Sequence, residues 1–398
     1  MNDNFFKNEL KRRGEVDKTT LAMVGAEMKR LRLKNNKTLS SIAENLCSVS
    51  YVCKIERAQI KPNKHMLGEI FKRLDVSDSD VKSLFDLKDF IFDSVTWFYN
   101  KNENKFIDVL NKIKELDNYR TTLFKFIYSV YVKDLVKANL LLNEIYKIAN
   151  ILTNPELYIF MFFASVLYFY EEDYLTVINN LKLIANLDEG NLLGILSYYY
   201  MFKAYLKMNN PMCLTYGENL SNFYFKILDF DKGEEIKYLL CVYKIWNGMG
   251  ELVYKEINYL KNKQYKTTLD FYIRVQTPRF NIKKFINKID MVTPFARFIL
   301  MYLNKDKRFF KEFIEYDKSN NFELEYSYNI LSYLSLTDEN ERINELLKCI
   351  FPNIECTRNT LEKKFFLNQL CDISLNTGRY KLFCSVYKQM KGVMWWEK

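Results

Sequence analysis

Residues 48–54 contain a group of side chains that could bind a ligand through polar contacts. They carry hydroxyl and ammonium groups, and they are Ser48, Ser50, Tyr51 and Lys54. A helix over residues 50–57 turns these groups outward when Val52 and Ile55 face inward, because one turn takes about 3.6 residues. Hydroxyl and ammonium groups at this spacing can hydrogen-bond the base edges and phosphate oxygens of a nucleic acid.

Three further helices are predicted around this segment, and they would hold it in place. Apolar positions at helical spacing predict a first helix over residues 21–36. Thr38 is a good N-cap for a second helix, residues 47–49 make a turn, and a fourth helix follows Pro62. A helix, a tight turn and a helix in this order form a unit that places one helix in the DNA major groove. The sequence therefore predicts a helix-turn-helix DNA-binding domain over residues 1–76.

Basic residues flank the third predicted helix, where they could contact phosphates. Residues 1–76 hold 16 Lys and Arg against 9 Asp and Glu, so they carry +7 of the chain's net charge of +10. A basic end on a nearly neutral remainder is typical of a nucleic-acid module joined to another domain. The residues predicted to contact DNA are Lys37, Thr38, Ser48, Ser50, Tyr51, Lys54, Arg57 and Lys61.

The sequence contains none of the catalytic motifs that depend on several histidines or on a glycine-rich loop. His65 is the only histidine, so neither a His-based triad nor a histidine-containing zinc cluster can be assembled. Neither of the common glycine-rich phosphate-binding motifs occurs. The acidic cluster at residues 171–173 falls at a predicted turn, where it is typical of a solvent-facing cap. We therefore expect that the protein is not an enzyme and that it binds neither a metal ion nor a cofactor.

Composition and periodicity favour an all-α fold. The chain has 398 residues, of which 48% are hydrophobic, and only 11 Gly and 6 Pro, the residues that sheet turns need. A connecting helix is predicted over residues 77–99, and residues 100–398 repeat as helical hairpins. Spacings of 35 to 55 residues separate the predicted starts of the second helices, which are Leu135, Tyr174, Met212, Leu252, Lys307, Arg342 and Tyr380. Most are close to the period of tetratricopeptide (TPR) repeats, about 34 residues, and predict a TPR-like α-helical hairpin solenoid that also carries the dimer interface.

The cysteines and the first residues indicate a reducing compartment. None of the eight cysteines forms a CxxC pair, and most lie in apolar periodic runs, which is typical of reduced core thiols. The first residues lack the apolar core of a signal peptide. The most apolar run, residues 157–170, is too short to span a bilayer. We expect a cytoplasmic protein without membrane contact.

The first helices of two predicted hairpins combine aromatic rings with ammonium and amide groups. Tyr199 and Lys203 lie in one of these helices, and Tyr243 and Asn247 lie in another. Rings can bury the side chains of a peptide, and amides can hydrogen-bond its backbone. The concave face of the solenoid is therefore predicted to bind an extended peptide. The alternative is core packing between hairpins, which we expect for roughly half of these aromatic side chains.

Residues 42–56, IAENLCSVSYVCKIE, resemble the DNA-binding domain of the PlcR and Rgg type regulators. The shortened turn and the S-x-[VI]-S-[RK]-[IF]-E recognition helix of that family align here without a gap. These regulators belong to the RRNPP class of peptide receptors, in which an N-terminal helix-turn-helix precedes TPR-like repeats that bind a short secreted peptide. Two positions depart from the family pattern. Leu39 stands where a DNA-contacting Gln is frequent, and Ala58 stands where Gly is usual.

The longer part of the chain resembles the arbitrium receptors of temperate phages, through residues 206–210, 310–320 and 334–347. In that family an acidic residue follows a Lys-Ser-Asn run and pairs with an Arg of the peptide. Asn321 takes this position here, and Asp270 is the substitute that we consider. The residues predicted to bind the peptide are Tyr199, Lys203, Asn209, Tyr243, Asn247 and Asp270.

These features predict a DNA-binding transcription regulator that is controlled by a short signalling peptide bound in its repeat domain. Regulation of this type serves quorum sensing or the lysis–lysogeny decision of a phage. We expect a homodimer on an inverted-repeat operator of double-stranded DNA, because a single short helix reads too few base pairs. The alternative is a helix-turn-helix regulator whose helical repeat domain recruits a protein partner and senses no peptide.

Overall fold

The computed structural model describes a chain that is built from helices. It describes residues 19–75, 78–114, 116–149, 152–274, 281–304, 338–350 and 360–376, together with residues 333, 336, 378 and 381. These residues form helices and no strand, which confirms the expected all-α fold. Over this described part of the chain, no helix combines the length and the apolar character that crossing a bilayer requires.

The first four described helices enclose one hydrophobic core. They are α1 (Thr19–Lys34), α2 (Leu39–Ala43), α3 (Val49–Glu56) and α4 (Lys64–Arg73). The buried residues of this core are Met28, Leu31, Ile42, Ala43, Val52, Ile55, Ile70, Phe71 and Leu74. Each helix contributes at least two of them, so the four helices form one packed module, which we call the four-helix module.

Further helices follow the four-helix module. They are α5 (Asp78–Tyr99), α6 (Glu103–Lys112), α7 (Tyr119–Tyr131), α8 (Leu135–Tyr146), α9 (Asn154–Tyr170), α10 (Tyr174–Leu181) and α11 (Leu192–Lys207). Helices α5, α7 and α9 pack against one another, while α6, α8 and α10 each pack against the helix that precedes them. A first compact unit of the chain ends at residue 204, within α11.

Helix α5 is more than the connector that the sequence predicts. The ring of Trp97 meets the rings of Phe106 at 5.6 Å and Phe124 at 6.3 Å, both edge-on. Phe98 packs edge-on against Phe163 of α9 at 5.2 Å. Helix α5 therefore serves as the first helix of the α5–α6 hairpin, and the hairpins begin at residue 78.

The second compact unit covers residues 205–398. Its described elements are α12 (Met212–Lys226), α13 (Phe230–Trp246), α14 (Gly250–Ile257), α15 (Lys263–Arg274), α16 (Lys283–Ile286), a 3₁₀ turn (Ile289–Met291), α17 (Pro294–Leu303), α18 (Glu339–Asn344), a π-helical turn (Glu345–Ile350) and α19 (Thr360–Asn376). Helix α13 packs against α12, α14 and α15. Tyr238 of α13 stacks on Tyr265 of α15 with ring centres 4.4 Å apart.

Six turns between the helices after the four-helix module share one backbone geometry, which also occurs at Asn36 and Ala58 within that module. Their left-handed residues are Lys101, Lys133, Glu172, Asn209, Leu228 and Gly248. In each turn the next residue donates its N–H to the carbonyl five positions earlier, at 2.8 or 2.9 Å, which is the Schellman ending of a helix. Four of the residues that follow also cap the next helix with a carboxylate or amide oxygen, and these are Asn102, Asp134, Asp173 and Asp229. The repeated turn explains why the connections are short.

The predicted hairpin positions can be compared with these helices. Three predicted starts coincide with observed starts, namely Leu135, Tyr174 and Met212. Helix α14 begins at Gly250, two residues before Leu252, and Arg342 lies inside α18 rather than at its start. The remaining two predicted starts lie outside the described residues, and they are Lys307 and Tyr380.

Candidate nucleic-acid interface

Helix α3 has one buried face and one exposed face. Val52 and Ile55 are only 0% and 1% exposed, since they enter the core of the four-helix module. The helix begins at a side-chain cap, where the hydroxyl of Ser48 accepts the N–H of Tyr51 at 3.2 Å. The polar residues on the exposed face are Ser50, Lys54 and Arg57.

The turn that leads into α3 is held by side chains on both sides. Thr38 caps the N-terminus of α2 with its hydroxyl. Asn45 turns the chain with a φ of 54°. From α4, the guanidinium of Arg73 donates to the carbonyls of Ile42 at 2.9 Å and Glu44 at 2.5 Å. These carbonyls would otherwise lack partners at the end of α2, so Arg73 fixes the angle between α2 and α3.

A close contact between α1 and α3 fixes the distance between these two helices. The carboxylate of Glu56 is 5% exposed and accepts Nε of Arg32 at 2.6 Å and Nη2 at 3.0 Å. Nearby, a Cβ on Gly25 would lie only 2.6 Å from the carbonyl oxygen of Ile55. Only a glycine lets the two backbones approach this closely. Sequence reasoning did not identify Gly25, because a glycine inside a predicted helix carries no other signal.

Most residues predicted to contact DNA are exposed, and these are Thr38, Ser48, Ser50, Lys54, Arg57 and Lys61. The hydroxyls of Thr38 and Ser48 accept backbone N–H groups as caps, and each keeps its own O–H to donate. Lys37 is half-buried, and its ammonium lies 3.5 Å from the carboxylate of Asp75. Tyr51 is half-buried against the core, so its ring belongs partly to the module's packing.

Charged side chains join the four-helix module to the first hairpins. Glu27 of α1 is 2% exposed and accepts the backbone N–H of Tyr119 at 2.8 Å. Arg30 donates to Glu27 at 2.8 Å and to Oδ1 of Asp117 at 3.0 Å, and Lys34 pairs with the same carboxylate of Asp117. Burial raises the pKa of the Glu27 carboxyl, although the hydrogen bond and charge of Arg30 oppose this. We call these five residues the clasp.

The clasp continues into a buried polar network between α7 and α9. The hydroxyl of Tyr119 lies 3.0 Å from Oε1 of Glu156, and Nε of Arg120 donates to the same oxygen at 2.6 Å. Thr153 completes the network by exchanging capping hydrogen bonds with Glu156. Burial, with the charge of Glu156, raises the pKa of Tyr119 well above its ordinary value. The network ties the residues that hold Glu27 to the third hairpin, α9–α10.

Two of the residues predicted to bind a peptide lie in the first compact unit. Lys203 is 4% exposed, and its ammonium lies 5.0 Å from the ring centre of Phe169 and 5.3 Å from those of Tyr199 and Tyr200. Tyr199 is half-buried. The lysine is therefore packed among aromatic rings, an arrangement that also stabilises the cation.

The other four residues of that set lie in the second compact unit. Asn209 and Asn247 exchange two amide hydrogen bonds, at 2.9 and 3.2 Å, and Asn247 also donates to the carbonyl of Tyr243. Tyr243 is 3% exposed, and Asp270 is half-buried and pairs with Arg274 at 2.6 Å. The two asparagines belong to equivalent turns of neighbouring hairpins, since each lies at or beside a left-handed residue.

Other predicted features cannot be placed. Asn321 and residues 310–320 lie outside the described residues, as does part of 334–347. Within the described ranges, no group of three or more His, Cys, Asp or Glu side chains could hold a metal ion. Compared with known proteins, the chain matches no family model, and neither a curated protein nor a solved structure matches it.

Proposed function

We propose that this protein is a DNA-binding transcription regulator whose activity is controlled by a short signalling peptide. One observation carries the DNA-binding part. Helix α3 is anchored by Val52 and Ile55, capped at its start, and exposes Ser50, Lys54 and Arg57 along the opposite face. A short helix held in this way, after a tight turn, has the form of the recognition helix of a helix-turn-helix.

The chemistry of the exposed face suits DNA. Ser50 can donate to and accept from base edges, while Lys54 and Arg57 can neutralise phosphates or bond guanine. Thr38 and Lys61 flank α3 and are exposed, so they can contact the backbone on either side. Two copies of α3 on an inverted repeat would supply the specificity that one copy lacks, and a homodimer is therefore part of the proposal.

Control by a peptide is proposed for the helical hairpins, which we interpret as a TPR-like solenoid. The repeated Schellman turns support this interpretation, since they give successive hairpins the same connection. The amides of Asn209 and Asn247 satisfy each other, and a peptide backbone of the same chemistry could replace this mutual pair. Tyr243 is buried, so it would act by supporting the wall of this site in the second compact unit.

The clasp offers a route by which the hairpins could influence DNA binding. Because Glu27 and Arg30 attach the four-helix module to Asp117 and Tyr119, a change in the packing of α7 and α9 would reorient α3. Each hairpin touches mainly its neighbours, so small rotations add up along a stack. A peptide with about 100-fold different affinity for two arrangements would supply about 2.7 kcal/mol to such a change.

The alternative, a regulator that recruits a protein partner and senses no peptide, has an observation in its favour. The second helices of two hairpins expose large apolar side chains: Val136 is 77%, Leu140 is 65% and Leu175 is 59% exposed. An apolar surface of this kind suits a protein partner.

Calorimetry separates the two functions. The full-length protein would be titrated with short synthetic peptides encoded immediately downstream of its gene. We expect one peptide to bind. The double variant Asn209→Ala/Asn247→Ala should bind this peptide with roughly tenfold lower affinity, which corresponds to the loss of one hydrogen bond in a buried site. Asn258→Ala, at the exposed end of α14, is the matched control and should leave the affinity unchanged. DNA binding that no peptide alters would favour the partner-recruiting function.

A further inference from the structure

The exposed face of α3 contains one large apolar side chain among its polar ones. Val49 is 43% exposed, although Val52 and Ile55 of the same helix are buried almost completely. Helical spacing places Val49 about 80° around the helix axis from Arg57 and about 100° from Ser50, so it lies at the edge of the exposed polar face. This valine is therefore on the outside of the four-helix module, where it adds nothing to the buried core.

Its position along α3 is as informative as its exposure. Val49 is the first residue of the helix, directly after the cap at Ser48. Recognition helices contact base edges mainly through their N-terminal residues. Lys54 and Arg57 lie in the second half of α3 and at its C-terminal cap, where long basic side chains can reach phosphates. The base-reading end of α3 is thus formed by Val49 and Ser50.

An isopropyl group can recognise only one feature of the major groove. It neither donates nor accepts hydrogen bonds, so it cannot read the polar edges of adenine, guanine or cytosine. The C5-methyl group of thymine is the apolar feature that the major groove presents, and apolar side chains pack against it. A valine at this position therefore selects thymine.

Resting on the proposed DNA-binding function, we propose that Val49 is a base-specificity residue that packs against the C5-methyl group of a thymine in each operator half-site. Burying one methyl group is worth about 0.8 kcal/mol, or roughly fourfold in affinity, so both half-sites together give about 15-fold. Uracil is the matched probe, because it differs from thymine by this methyl group alone.

The experiment begins with selection of duplexes from a randomised pool by the full-length protein. Each thymine of the selected site is then replaced by uracil, in both half-sites at once, and the affinity is measured by fluorescence anisotropy. We expect one symmetrical position at which uracil weakens binding by about 15-fold. Val49→Ala should discriminate less between thymine and uracil at that position, because its smaller side chain contacts less of the thymine methyl group. The matched control is Val136→Ala on α8, a valine that is 77% exposed, and it should discriminate as the unchanged protein does.

The outcomes separate this proposal from the proposed function. If the protein selects a site and binds its thymine and uracil forms equally at every position, the role of Val49 is refuted and DNA binding stands. Val49→Ala that discriminates as strongly as the unchanged protein at the same position would also refute it. If no duplex is enriched and none binds, both proposals fail together.

Discussion

The backbone N–H of Tyr119 donates a 2.8 Å hydrogen bond to Oε2 of Glu27, across 92 residues of the chain. Tyr119 is the first residue of α7, where backbone N–H groups lack partners within the helix. Glu27 is 2% exposed and lies in α1 of the four-helix module. The module that would meet DNA is therefore docked onto the hairpins by a buried carboxylate at a helix N-terminus, an arrangement that the helix dipole favours.

Glu27→Ala is expected to lower the free energy of unfolding by about 2–4 kcal/mol, because Arg30 would lose its buried carboxylate and Tyr119 its acceptor. Hydrogen exchange should also become faster in α1 and at the start of α7. The control is Glu69→Ala, which removes the exposed partner of Lys72 and should leave stability unchanged. Equal effects of the two substitutions would contradict the role given to the clasp.

Gly25→Ala is expected to destabilise the protein by about 2 kcal/mol. The added Cβ would lie 2.6 Å from the carbonyl oxygen of Ile55 and 2.9 Å from that of Glu56, and backbone atoms cannot move aside cheaply. Gly68→Ala in α4 is the matched control, since a Cβ there has no neighbour within 4 Å. It should stabilise the protein by about 1 kcal/mol through helix propensity. Urea denaturation measures the free energy of unfolding of both variants. A change of the same sign in both would refute the close approach of α1 and α3.

Ala58→Gly is expected to stabilise the four-helix module by about 0.5–1 kcal/mol. Ala58 adopts a left-handed φ of 54° after α3, a conformation that costs a residue with a Cβ about 1–2 kcal/mol. Removal of its buried methyl group offsets part of this gain. Ala43→Gly, at the last residue of α2, removes a buried methyl group and should have the opposite effect of about 1 kcal/mol. A loss of stability in both variants, measured by thermal denaturation, would contradict the left-handed conformation.

Local features of this fold could be predicted from the sequence, because local signals determine them. Apolar spacing and the cap at Thr38 located the first four helices to within a few residues, and the starts of α8 and α10 were located similarly. Exposure along α3 also followed from helical phase, apart from Tyr51, whose ring contacts the core.

Pairings between distant residues could not be predicted in this way. Glu27 and Tyr119 are 92 positions apart, and neither residue type predicts which residue it will contact. Asn209 and Asn247 were predicted as amides for a peptide, but their mutual pairing depends on the stacking of two turns 38 positions apart. The sequence predicts only a connecting helix over residues 77–99, because the packing partners of α5 lie in other helices. In each case one chain segment lacks the information that identifies its partner.

The most direct test of the central claim is the salt dependence of DNA binding by the full-length protein. Anisotropy of a labelled duplex long enough for two half-sites would be measured at several salt concentrations. We expect the logarithm of the binding constant to fall linearly with the logarithm of the salt concentration. Lys54→Ala and Arg57→Ala should each reduce the magnitude of this slope by about two, since each removes one phosphate contact from each protomer. Lys137→Ala, an exposed lysine of α8, removes the same charge and should leave the slope unchanged. Absence of binding, or an equal loss of slope in the Lys137 variant, would contradict the assignment of α3 as the DNA-reading helix.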